Sequence, residues 1–368
     1  MIAARAGTLG GHTAGQLRRL CAVAGLDPTD TDTYADVLLT TLGPAAERPL
    51  DLPPPSRTFL SDDHTPVEYS LSFTAGANPA LRVLLEPGCG AGSLARGGRA
   101  ALAAVREMAR RWEFSTERLD DLEDLFLPPS PHGPLALWIA LELRPGGVPQ
   151  VKVYLNPAAS GPHRAARTVR EALGRLGHER AFEALPPADG YPFLALDLGD
   201  WEAPRVKVYL KHLDLSAAEA AGLCRTEPGP PAGEVAAFLH TAAGAASASR
   251  LDRRPGLTCH SFTETDSGLP SGFTLHIPVR DYVRDDAEAL DRARTVLAGH
   301  GMDAGPLTRA LPAVTGRRPE DGVGLIAYLA LAHQRGRPPR VTAYVSSETY
   351  AVRPPAPTPE RIDAQPVH

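Results

Sequence analysis

Two short segments carry the strongest chemical signal in the chain: VKVYLNP at 151–157 and VKVYLKH at 206–212. In an extended strand, successive side chains point to opposite faces. Lys152 and Tyr154 then share one face, opposed by Val151, Val153 and Leu155. In the second copy Arg205, Lys207 and Tyr209 oppose Val206, Val208 and Leu210. TLHIP (274–278) sets Thr274 beside His276, VTAYV (341–345) sets Thr342 beside Tyr344, and Arg82 sits near the start of LRVLLEP. A diphosphate needs such a set. Lys offers compact charge, Arg a planar fork for phosphate oxygens, and Tyr a hydroxyl. Tyrosine faces also stabilise a carbocation. For a lone KVY strand, a solvated face over an aliphatic core is the commoner arrangement, and a buried histidine is more often a hydrogen-bonded core residue. Two strands with the same phase favour an enclosed cationic face instead. Glu68, in TPVEYSLSF, shares its face with Ser70 and Ser72. It is either a solvent-facing carboxylate or the lone anion among these cations, a hydrogen-bond acceptor or base toward an acceptor substrate.

The elements that must hold these residues follow from periodicity. Alternation predicts hairpins from 67–73 with 81–87, 135–143 with 148–157, 193–200 with 205–212, and 258–265 with 271–279, and a last strand over 340–347. Helical spacing is expected over 12–26, 30–42, 99–112, 162–176, 216–223, 233–241, 285–300, 304–311 and 319–334. Residues 1–12 are Gly-rich and expected to be loose. Helices followed by strand pairs exclude the alternating βαβ order of a parallel sheet. Antiparallel hairpins of this kind close into one barrel, and some ten strands leave a lumen wide enough for a ligand. One domain over 1–352 is expected, with a disordered Pro-rich tail over 353–368.

Composition narrows the function. Lys plus Arg number 38 and Asp plus Glu 43, a net charge of -5, so a general nucleic-acid or anionic-membrane binder is disfavoured. Cys21, Cys89, Cys224 and Cys259 form no CxxC pair and fit a reducing cytoplasm. The opening MIAARAGTLGG has no signal-type apolar region, and no apolar run reaches membrane-spanning length. A soluble, cytoplasmic protein acting on small molecules is expected.

Taken together, PPPSRTFLSDDHTPVEYSLSF, LRVLLEPG, VKVYLNP, APRVKVYLKH, LTCHSFTET, FTLHIPVRDYV and GVGLIAYLALAHQRG resemble the bacterial branch of the dimethylallyltryptophan synthase family of aromatic prenyltransferases. The resemblance runs over nearly the whole chain and is closest to tryptophan 6-dimethylallyltransferases. It implies an α+β fold, the ABBA or PT barrel, with about ten antiparallel strands inside a ring of helices. The implied activity is Friedel–Crafts transfer of dimethylallyl from dimethylallyl diphosphate to the indole of L-tryptophan, at the 6-position, with no cofactor and no obligatory metal. By motif match, Glu68 is the catalytic residue that holds the indole N–H. Arg82, Lys152, Tyr154, Arg205, Lys207, Tyr209 and Tyr344 would grip the diphosphate. Thr274 and His276 join that set where fungal members carry a longer amide or basic side chain and a Tyr. Arg144 stands where fungal members place a proposed lysine base, and a guanidinium does not give up its proton. Another indole, a cyclic dipeptide or a tyrosine could replace tryptophan as acceptor. A non-catalytic isoprenoid-binding or diphosphate-binding barrel is the rival from another class. No partner beyond these small molecules is implied, and oligomeric state is left open.

DDLED, with Asp120, Asp121 and Asp124, matches the magnesium motif of all-helical isoprenyl diphosphate synthases. Leu119, Leu122, Leu125 and Phe126 instead fit a helix with a solvated acidic face. SDDH (61–64) reads as a turn. Core packing is the default for Trp112, Trp138 and Trp201, with an indole pocket as the alternative, and LDRRPG (251–256) reads as an exposed loop that could help cover the barrel mouth.

Overall fold

Strands that are aliphatic on one face and polar on the other can bury both faces only by curling into a tube. In the computed structural model, which describes residues 7–199, 205–244 and 250–357, they do so. The strands are β1 (Val67–Phe73), β2 (Ala80–Leu85), β3 (Leu137–Glu142), β4 (Gln150–Leu155), β5 (Gly190–Leu198), β6 (Val206–His212), β7 (Gly256–Phe262), β8 (Gly272–Ile277), β9 (Ile326–Gln334) and β10 (Arg337–Ser346). Each pairs antiparallel with its sequence neighbours, and β10 returns to β1, so the sheet is a closed ten-stranded barrel with no free edge. The outward residues Val67, Tyr69, Leu71, Val151, Val153, Val206, Val208 and Leu210 are fully buried beneath helices. Each such side chain contributes on the order of 1.5–3 kcal/mol.

The covering helices include Leu9–Ala24, Pro28–Leu42, Leu94–Trp112, Ala165–Arg175, Ala232–Ala243, Asp286–Gly299 and Gly305–Val314. Capping sets their starts. Asp27 accepts from Thr29 N ahead of Pro28, and Ser93 accepts from Arg96 N. The first helix begins at Leu9 rather than near residue 12. Gly10 serves close packing rather than looseness: a Cβ there would lie 2.7 Å from Leu39 Cδ2 and 2.8 Å from the Ala46 methyl.

The largest departure from expectation is 319–334, read as helix and found to hold β9. Ala330 and Ala332 face the lumen while Leu329 and Leu331 face the helices, so both faces are apolar and the alternation disappears. Ala and Leu also favour helix intrinsically; tertiary pairing with β8 and β10 overrides that preference. The chain stays docked beyond Val352, as Arg353 bridges Val323 and Ala356 N donates to Arg284 O. Residues 358–368, the rest of the expected tail, and Trp201 lie outside the described residues. No helix of the described residues is long and apolar enough to cross a membrane.

A buried ion cluster fixes where β9 starts. Asp286 is fully buried and accepts from Gly324 N and Ile326 N, both at 3.1 Å. Arg317 joins it to Glu348, at 2.6 Å from the latter, just past β10. Removing one member of such a cluster strands the other charges. Asp286→Ala is therefore expected to cost about 3–5 kcal/mol, read as a lower urea midpoint at unchanged m-value.

Candidate active site

Register places every inward side chain in a layer, because alternate residues of a strand step by roughly 7 Å along it. At the hairpin end, β6 begins after Arg205, and β10 carries Arg340. One step inward come Lys207, Lys152 and Arg82, with Thr274 and Thr342 beside them. The next layer is aromatic: Tyr154, Tyr209, His276 and Tyr344. Beyond it, toward the opposite mouth, lie Glu68, Trp138, Phe193 and Tyr328. All the sequence-predicted site residues except Arg205 line one central cavity, and Arg205 lines the space directly below it. No predicted cation points outward.

The cationic layer is held by acids the sequence reading did not single out. Lys152 Nζ lies 3.1 Å from Asp197 Oδ1, and Arg205 Nε donates to Asp197 Oδ2 at 2.6 Å. Burial alone would raise the Asp197 carboxyl, but Lys152, Arg205 and Lys207 hold it at about 2. Arg82 grips Glu142 through Nε and Nη2, at 2.8 and 2.7 Å, and Glu142 is likewise held at about 2 against the effect of burial. Lys207, only 9 % exposed, makes no ion pair among the described residues. Burial first and neighbouring Lys152 second push its ammonium well below the ordinary lysine value. Arg340 also lacks a partner for its buried Nε. Burial and then Arg82 lower it to about 10. Two cations with unmet demand thus face the same space.

The aromatic layer is continuous. Tyr154 and Tyr209 centroids are 5.7 Å apart, Tyr209 and His276 5.7 Å, and His276 and Tyr344 5.9 Å. Burial, then Lys207, lowers His276 to about 3, so it stands as a neutral imidazole and contributes dipoles rather than charge. Phe193 extends the layer toward Trp138 at 5.3 Å. Trp138 is fixed by a hydrogen bond from Nε1 to Glu86, 3.1 Å long.

Glu68 is 6 % exposed and accepts no hydrogen bond among the described residues. Burial raises its carboxyl to about 8, opposed by Arg280 and reinforced by Asp62. Arg280 reaches this place from the loop after β8: its Nε lies 3.0 Å from Asp62, and its guanidinium is 5.0 Å from the Tyr328 ring centre. Arg254, in LDRRPG, lines the same mouth and pairs with Asp62 at 3.3 Å and Asp281 at 2.5 Å.

Other candidates fall elsewhere. Asp120 pairs with Arg106 at 2.6 Å and Asp124 with Arg175 at 2.6 Å, both on the surface. SDDH is a turn in which Asp63 accepts from Thr65 N, but its Asp62 belongs to the mouth cluster. Among the described residues no group of three acidic, histidine or cysteine side chains is placed to hold a metal ion. Trp112 packs against the outer core. Arg144 is half exposed and bonded to Gln150 at 2.6 Å.

Two kinds of residue escaped the sequence reading. Arg340 and Asp197 share phase with Thr342 and Ala195 one step away, and Glu142 with Trp138 two steps away, so extending the alternation along each strand would have found them. Arg280 and Asp62 come from loops and carried no periodic signal.

A family model described as tryptophan dimethylallyltransferase matches residues 12–225. The prenyltransferase PriB, solved in ternary complex with L-tryptophan and dimethylallyl thiolodiphosphate, is 66 % identical, with 95 % of this chain and 99 % of that one covered at a TM-score of 0.94. The 5-dimethylallyl tryptophan synthase of Streptomyces coelicolor, solved with DMASPP and Trp, is also 66 % identical, over 96 % and 99 % of the two chains at 0.92. The 6-dimethylallyltryptophan synthase of Micromonospora olivasterospora is 38 % identical, over 95 % and 99 % at 0.86.

Proposed function

This chain belongs to the tryptophan dimethylallyltransferase family, and we propose that it transfers the dimethylallyl group of dimethylallyl diphosphate to a benzene-ring carbon of the indole of L-tryptophan. It is an enzyme of the prenyltransferase class. The observation that carries the reading is the stacking of three chemistries in one lumen: unmet cations, an aromatic layer, and an unbonded carboxylate at the far side.

Diphosphate oxygens lie on Arg82, Lys152, Arg205 and Lys207, with Arg340 added to the set. Charge builds on those oxygens as the allylic carbon–oxygen bond breaks, and the preset cations stabilise it without reorganising. Tyr154, Tyr209 and Tyr344 turn their faces to the dimethylallyl cation and exclude water. Thr274 and neutral His276 supply hydrogen bonds. Glu68 accepts the indole N–H and fixes the ring pose, which selects the alkylated carbon. A carbon–carbon bond forms, and the ring proton then passes to a base, the released diphosphate or water, which restores aromaticity.

Position 6 is our reading from the family resemblance and is the position of the relative at 38 % identity. The relative at 66 % identity that acts at position 5 favours that carbon as the second reading. The reaction is proposed to need no metal, the cations doing the work of a metal clamp, and the compartment is proposed to be the cytoplasm, in keeping with four free thiols.

Incubation with L-tryptophan and dimethylallyl diphosphate in excess EDTA is expected to give one product carrying a single added C5H8 unit by mass spectrometry. NMR of that product distinguishes carbon 6 from carbon 5. Absence of product with tryptophan and other indoles, alongside tight diphosphate binding, would leave the binding-module reading.

A further inference from the structure

We propose that the lumen has a second mouth at the hairpin end of the barrel, and that inorganic diphosphate leaves through it while the acceptor end is still occupied. This deepens the reading above, since it takes the donor diphosphate to rest on the Lys152–Lys207 layer. In that stack the acceptor and the aromatic layer lie on one side of the diphosphate. Tyr154, Tyr209, His276 and Tyr344 stand at ring spacings of 5.7–5.9 Å. A polyanion crossing that layer would shed its hydration with little to replace it. Prenylated tryptophan would also block the way.

Below the cations the environment is the reverse. Lys207, Thr274, Ala332 and Arg340 line both the central cavity and a second space beside it, which Arg205, Gln334 and Arg337 also bound. No carboxylate lines this space among the described residues, and the nearest acids are spoken for: Asp197 by Lys152 and Arg205, Glu142 by Arg82. Arg340 is half-buried with its Nε unpartnered, and Arg337, at the first position of β10, is exposed. Positive charge therefore runs without a gap from the buried Lys207 to the surface, a funnel that steers a polyanion in either direction.

The test uses the intact enzyme, inorganic diphosphate and L-tryptophan. Release of bound diphosphate is followed after rapid dilution, with and without saturating tryptophan. The second mouth predicts that tryptophan changes the release rate less than threefold. In R337E, the association rate of diphosphate is expected to fall about tenfold at low salt, with the defect shrinking as salt rises. Slowing of release by tryptophan of threefold or more, or association in R337E equal to that of the unaltered protein, overturns the proposal. Calorimetry of tryptophan against diphosphate-loaded enzyme runs alongside. If tryptophan does not bind, the acceptor reading fails and the R337E measurement decides the exit route alone.

Discussion

Lys207→Met lowers kcat with dimethylallyl diphosphate by about 10²–10³-fold, the range for removing one preset group that stabilises developing negative charge. The same change raises the thermal midpoint of the substrate-free protein. Both effects follow from one fact: Lys207 is buried without an ion pair, and its ammonium is pushed well below its ordinary value by burial and by Lys152. An empty site therefore carries a charge it would be more stable without. Met keeps the aliphatic stem and removes the charge. The sign in pH is fixed as well. A lysine lowered on folding makes the folded state bind fewer protons, so its destabilising effect is largest at low pH and fades as pH rises toward the unfolded lysine value. The stabilisation by Lys207→Met should be larger at pH 6 than at pH 9 in calorimetric scans. A variant that loses activity and stability together would mean that Lys207 is a structural residue.

That trade follows from what the lumen has to reconcile. Binding a polyanion calls for dense positive charge, whereas surviving an allylic cation calls for apolar, water-free walls. The barrel separates the demands along its axis rather than mixing them. Layers of roughly 7 Å put cations and tyrosines one strand step apart, as in Lys207 and Tyr209 or Lys152 and Tyr154. Small inward residues then make the room: Ala140, Ala195, Ala330 and Ala332 all face the lumen. Asp197 and Glu142 sit at the hairpin side of the cation layer, where they orient Lys152, Arg205 and Arg82 without facing the cation to be formed.

The same alternation explains what could be read without coordinates. A polar–apolar period of two fixes both the strand and the side each residue faces, so Lys152, Lys207 and Tyr344 could be placed in one lumen from their phase alone. Where lumen residues are themselves small and apolar, the period vanishes. That is why β9 looked helical, and the alanines that hid it are the ones that open the cavity. The mouth was legible only in part: LDRRPG could be set near it, but not what its Arg254 would meet. Arg280, Asp62 and Arg254 meet across 192 residues of sequence between Asp62 and Arg254, and no local pattern encodes such a meeting.

Glu68→Gln lowers kcat/KM for L-tryptophan by about 10²-fold or more, in the range of a positioned acid–base group, while diphosphate affinity is retained. Glutamine keeps the shape and one acceptor oxygen but not the charge that draws electron density from the indole N–H into the ring. The pH dependence separates this role from a steric one. With its carboxyl raised to about 8 by burial, Glu68 is mostly protonated at neutral pH in the empty site and ionises as pH climbs. kcat/KM should therefore rise through pH 8 in the unaltered enzyme and run flat there in Glu68→Gln. Arg280, Asp62, Arg254, Tyr328, Tyr344 and His276 all face this group; burial raises the Tyr344 hydroxyl and, with Lys207, lowers His276 to about 3, which moves both away from pH 8. Stability moves the other way. An acid raised on folding contributes stability that is present below its unfolded value of 4.5 and lost as pH rises to about 8. Glu68→Gln should thus gain thermal midpoint at pH 9 and little at pH 4.5. A rising limb at pH 8 that survives the substitution would move the titrating group, and with it the indole N–H contact, away from Glu68.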